Sequence, residues 1–180
     1  YKDNFDRIRP AGMILGYPVI DLKSSTRHLD IGIEGYPDYD KINFGQVHPN
    51  VDPADIFVRE NNKTYVNFEI AMNAYMFGGY PTDEQIYQYS LQNHVTDTTP
   101  PAFIWHGGED ELIYPRNSFM FAEALREHNI PCELHVFGKG GHGLGLANEV
   151  TENNPWEVNE QCARWPKLAA DWIKSILRQQ

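Results

Sequence analysis

Ala102-Phe103-Ile104-Trp105-His106-Gly107-Gly108-Glu109-Asp110 is the stretch on which the fold turns. Its first residues form an apolar run of strand length, and the glycine pair breaks that run into a tight loop. A carboxylate therefore follows directly on the carboxyl end of a strand. Downstream, residues 115–128 place Phe121 and Leu125 one turn apart and stop before Asn129, which predicts an amphipathic helix able to cover a sheet. Residues 132–137 then alternate, and Gly138, Gly140 and Gly141 close them, so a second strand leads into a glycine-rich loop carrying His142. Strands separated by helices predict an α/β fold, with a mostly parallel sheet and helices on its faces. In such folds ligands sit beyond the carboxyl ends of the strands, which directs attention to loops 107–115 and 138–145.

Working towards the N-terminus, residues 13–20 (Met-Ile-Leu-Gly-Tyr-Pro-Val-Ile) read as one more strand, apolar enough to be buried on both faces. From Asp21 to about Val66 the chain is rich in Gly, Pro, Asn, Asp and Tyr without a sustained period. It predicts a long excursion rather than packed helix or sheet, with residues 27–66 its core. The tyrosines and aspartates at 36–40 read equally as a substrate lid and as a solvated loop. Residues 67–77 carry Phe68, Ile70, Ala71, Ala74 and Tyr75 at helical spacing, and Thr82 with Gln85 has the form of a capping box opening a second short helix. A final helix starts near Pro166 and puts Leu168, Trp172 and Ile176 on one face.

Composition narrows the field without naming a ligand. Of the 180 residues, 41% are hydrophobic and 22% charged, the range of a single globular domain. A formal net charge of -10 without an acidic run makes a poor partner for nucleic acid or an anionic membrane. No apolar stretch reaches the roughly 18 residues that span a bilayer. Residues 1–10 lack the features of a secretory signal, so a cytoplasmic setting is expected, with secretion the alternative. The Asn62 sequon is read as chance. Cys132 and Cys162 are too few for a disulfide framework or a zinc site and are expected to be buried thiols.

The chemistry rests on two residues. Asp110 and His142 end successive strands, and a carboxylate facing an imidazole there fixes the ring's tautomer and stabilises the imidazolium formed when the far nitrogen takes a proton. Glu109 competes with Asp110 for the acid role. His106, His135 and His142 with Glu109 and Asp110 could be imagined as a metal cluster but lack recognised ligand spacing. No cofactor is indicated. Trp105, Trp165 and Trp172 read as packing residues rather than a sugar platform, and Trp156 is left open. None of Ser24, Ser25, Ser90, Ser118 and Ser175 has the flanking glycines of a strained nucleophile elbow.

Residues 103–110, Asn117-Ser118 with Phe121-Ala122 and Ala124-Leu125, residues 133–137 and Gly141-His142-Gly143-Leu144-Gly145-Leu146 together resemble the acetyl-xylan-esterase-like branch of the α/β-hydrolases. Tyr17 to Ile20, Asn93 to Thr96, Trp165-Pro166 and Trp172 extend the resemblance over most of the chain outside residues 27–66. It implies the C-terminal strands of one α/β-hydrolase domain, with Asp110 as triad acid and His142 as general base. In that fold the order is nucleophile, acid, histidine, so the serine and the oxyanion loop are expected upstream, in an N-terminal part of the same protein. Three strands apolar on both faces also need such a part to close their core. The implied activity is carboxylic ester hydrolysis of short acyl esters, acetylated carbohydrates among them. A prolyl-oligopeptidase-type peptidase and a non-catalytic binding protein of the same fold are the alternatives.

Overall fold

A computed structural model describes residues 9–23, 28–29, 50–60 and 63–178. Strand β1 is Met13–Gly16. After it come strand β2 (His28–Leu29), helix α1 (Pro53–Ile56), and strands β3 (Phe57–Glu60) and β4 (Lys63–Asn67). Helices α2 (Phe68–Phe77) and α3 (Asp83–Tyr89) lead to strand β5 (Ala102–Gly107). Helix α4 (Arg116–Glu127), strand β6 (Cys132–Phe137) and helix α5 (Trp165–Leu177) complete the chain.

The parallel sheet has the order β1-β5-β6. Its register sets Met13 beside Ala102 and Ala102 beside Cys132, so the carboxyl ends of β5 and β6 finish level at Gly107 and Phe137. All six residues of β5 are buried, as a central strand covered on both faces requires. Alternation divides its side chains. Ala102 and Ile104 enter one cluster with Phe121, Ala124 and Leu125 of α4, while Phe103 and Trp105 enter another with Ala169 and Trp172 of α5. Full burial of side chains such as Phe103 and Ile104 contributes about 1.5–3 kcal/mol each. This packing holds the two strand ends, and the loops they carry, in fixed relation.

The helices follow the sequence pattern. Asn67 caps α2 through Ile70 N, and Gly78 ends it at φ 70°. The capping box of α3 is complete, with Thr82 Oγ1 accepting from Gln85 N and Gln85 Oε1 from Thr82 N. On α5, Leu168, Trp172 and Ile176 pack against the same cluster, as expected. Trp105 stacks on Trp165 at 5.3 Å, so these tryptophans and Trp172 are packing residues, while Trp156 is exposed. Cys162 is fully buried and Cys132 partly so, and burial pushes both thiols up to about 11. Among the described residues no helix is long and apolar enough to cross a membrane.

Two expectations are corrected. The first strand stops at Gly16 rather than at residue 20, because Tyr17 turns into the left-handed region at φ 38°. It is also not buried on both faces: Ile14 is 42% exposed, on a face that the described residues leave partly uncovered, and β1 is an edge of the described sheet. The stretch from 21 to 66 is not free of sheet. β3 and β4 pair antiparallel with Glu60 opposite Lys63, β2 adds to β4, and α1 packs Ile56 into a small cluster with Val51 and Ala74. The missed signal is two short runs separated by the pair Asn61-Asn62, the spacing of a two-residue hairpin. The tyrosines and aspartates at 36–40 and the Asn62 sequon lie outside the described residues.

Candidate active site

Asp110 sits in the loop leaving β5, and His142 in the loop leaving β6. The two loops touch closely: a Cβ on Gly107 would overlap the Gly140 carbonyl oxygen, and one on Gly108 would lie 2.6 Å from the Phe137 carbonyl oxygen. Both glycines are therefore required by approach, as a tight loop predicts. Gly140, at φ 103°, leaves its own Cβ position facing Cys162 Sγ at 2.7 Å. Backbone bonds seal the seam, with Gly108 N donating to Phe137 O at 2.6 Å and Glu109 N to Gly140 O at 3.0 Å.

Across this seam His142 Nδ1 lies 2.9 Å from Asp110 Oδ2. The carboxylate is 2% exposed, and both its oxygens are used. Oδ1 accepts from Leu112 N at 3.0 Å and Ile113 N at 2.8 Å, while Oδ2 also receives His106 Nε2 at 3.0 Å. Burial pushes the Asp110 carboxyl up, but donation from His106, His142 and Ile113 outweighs it and holds the group below its ordinary value. Asp110 is thus an ionised, immobilised acceptor. The Tyr17 and His142 rings meet edge to face with centroids 4.8 Å apart, so the imidazole is braced on a second side. Among the described residues His142 Nε2 has no hydrogen-bond partner, and the ring remains partly exposed. An imidazole held at Nδ1, with its other nitrogen free, can take a proton from a hydroxyl presented to it.

The other candidates go elsewhere. Glu109 points away from His142, pairing with Lys139 Nζ at 2.6 Å and accepting from Gly140 N at 3.3 Å; these bonds hold its carboxyl below the usual range. His135 pairs with Glu133 at 2.7 Å on β6, so the three histidines do not converge. Ser90 bonds the Leu22 and Asp21 region, Ser175 donates to Trp172 O, and Ser118 is fully buried behind β5. Ser24 and Ser25 lie outside the described residues. Sequence reasoning missed the role of His106, whose ring is fully buried and spans Ser118, Asp110 and Ile113. The available signal was parity: His106 shares the face of Ala102 and Ile104, hence the face of α4, where Ser118 lies on the first turn.

Three solved structures share this architecture. A carboxylesterase from Lactobacillus plantarum is 30% identical, with TM-score 0.60, over 93% of this chain and 45% of its own. A sugar hydrolase from Lactococcus lactis is 26% identical, with TM-score 0.61, over 95% and 50%. An acetyl ester-xyloside bifunctional hydrolase from Caldicellulosiruptor lactoaceticus is 27% identical, with TM-score 0.59, over 93% and 43%. Endo-1,4-beta-xylanase B of Butyrivibrio fibrisolvens is 47% identical over 74 residues, 41% of this chain and 12% of that protein. The chain thus spans about half the length of the solved structures it matches. The fold is that of the α/β-hydrolases, as the resemblance implied. The model of the prolyl oligopeptidase family matches residues 57–158, more than half of the chain and inclusive of Asp110 and His142, and the chain belongs to that family.

Proposed function

We propose that this chain supplies the acid and base of a serine-dependent carboxylesterase acting on short acyl esters, acetylated carbohydrates among them. The carrying observation is the 2.9 Å contact between Asp110 and His142 at the level ends of two parallel strands, with His142 Nε2 left free. In the proposed cycle a serine hydroxyl gives its proton to His142 Nε2 and attacks the ester carbonyl. Asp110 stabilises the imidazolium, His142 returns the proton to the leaving alcohol, and water then releases the acid by the same route. The serine and the oxyanion donors belong, in this proposal, to an N-terminal part of the same protein outside this sequence, so that residues 1–180 form the C-terminal part of one domain with an excursion at about 27–66. The pairing of β1 on one side only among the described residues and the half-length coverage of the similar structures support that division. A small ester and the serine-bearing part are the proposed partners.

The ester reading is favoured over a peptidase by the similar structures, which include a carboxylesterase and an acetyl ester hydrolase. The peptidase reading draws on the family assignment itself. Assaying the protein together with its serine-bearing part on p-nitrophenyl acetate, acetylated xylo-oligosaccharides and a proline-containing peptide separates them. Release of acetate, with labelling of one serine by a fluorophosphonate, is expected. Peptide cleavage without ester turnover would install the peptidase, and inertness toward all three would leave a binding protein.

A further inference from the structure

The buried pair behind the acid, His106 and Ser118, has no place in the cycle just described. His106 and Ser118 are each completely buried, and Ser118 Oγ lies 2.7 Å from His106 Nδ1. The other ring nitrogen, Nε2, faces two acceptors at once: Ile113 O at 2.8 Å and Asp110 Oδ2 at 3.0 Å. A backbone carbonyl only accepts, so the proton of a neutral ring belongs on Nε2. Nδ1 is then a lone pair, and the Ser118 hydroxyl donates to it. This assignment gives every polar atom of the Ser118–His106–Asp110 group a partner. It superficially has the composition of a triad, but no substrate reaches a serine with no exposure, and the ring is turned with its Nδ1 to the hydroxyl.

We propose that Ser118 and His106 form a positioning relay that fixes Asp110 for its contact with His142. The Ile113 carbonyl sets the tautomer of His106, Ser118 caps its Nδ1 and holds the ring, and His106 Nε2–H pins Oδ2, the same oxygen that receives His142 Nδ1. The Leu112 and Ile113 N–H groups hold the other oxygen, so the carboxylate cannot rotate. The relay also sets the strength of the acid: a hydrogen bond into Oδ2 draws electron density from the oxygen that stabilises the imidazolium. The charged and titratable groups about this oxygen are His106 from β5 and His142 from the loop after β6. The Tyr17 ring borders His142 from the end of β1, and Glu109 with Lys139 forms a pair turned outward from the seam. The inference rests on the hydrolase reading for its catalytic consequence but not for its geometry.

The test uses His106→Leu, His106→Gln and Ser118→Ala in the protein assembled with its serine-bearing part. The first readout is the titration of the His142 ring by nitrogen-edited NMR, which requires no turnover; the second is the division of any loss between kcat and KM on p-nitrophenyl acetate. Removing the Nε2–H leaves Oδ2 a stronger acceptor, so His106→Leu is expected to raise the His142 midpoint by roughly 0.5–1 unit. Its kcat is expected to fall about 10- to 100-fold with KM nearly unchanged. His106→Gln keeps an amide N–H at the same reach and is expected to restore most of both values. Ser118→Ala, the gentler variant should His106→Leu fail to fold, is expected to shift the midpoint in the same direction by less. An unchanged or lowered His142 midpoint in a folded variant overturns the relay, as does a glutamine variant no better than leucine. A raised midpoint in a protein inert toward esters would keep the relay and overturn hydrolysis.

Discussion

At the scale of single residues, the demands on Asp110 and His142 differ. Asp110 needs to be charged and still, which four hydrogen bonds accomplish; His142 needs one nitrogen held and one free. Under the proposed function Asp110→Asn keeps the shape but offers His142 an amide, and kcat toward p-nitrophenyl acetate is expected to drop about 10⁴-fold with the fold intact. A loss below tenfold would remove Asp110 from the acid role. The same hydrogen bonds give stability a pH dependence. The folded Asp110 carboxyl lies below its ordinary 3.8, so its stabilising contribution is complete above that value and is lost as pH falls through the lower folded one. Denaturant titrations across that acid range are expected to show a steeper decline for the parent than for Asp110→Asn. Of these residues, Asp110 and His142 were legible from their loops and order. His106 and Ser118 were not, because they stand 12 positions apart and meet only through the packing of a strand against a helix.

At the scale of elements, local chemistry and burial each left a readable mark. The strand over 132–137, the capping box at Thr82 and Gln85, and the face of the last helix all emerge from short-range patterns that the tertiary structure reinforces. The small antiparallel sheet was hidden because its strands are short and set among turn residues, where alternation has too few positions to register. The end of β1 was hidden for a different reason: the apolar run continues through residue 20, while the backbone bends at Tyr17. The seam between loops gives a sharp expectation. Gly107→Ala places a methyl against backbone that has no rotamer to yield, and is expected to cost about 3 kcal/mol or more by thermal or urea unfolding. Gly138→Ala, with nothing near its Cβ position, serves as the control. Within the core, Phe103→Ala is expected to cost about 3–5 kcal/mol, since that ring packs against Trp172 with no exposure.

At the scale of the whole molecule, Asp110 and His142 are separated by 32 positions and joined by one strand–helix–strand unit, β5–α4–β6. The loop that this contact closes lies wholly within that unit, so its closure entropy does not include the more distant strands. The mutual placement of carboxylate and imidazole is thereby a property of one contiguous stretch of chain. Such a stretch carries the contact with it, while β1, Tyr17 and α5 brace it from outside. Under the proposed function, changes of substrate preference would then fall to the surrounding segments, while the two groups that handle the proton stay together on one length of chain.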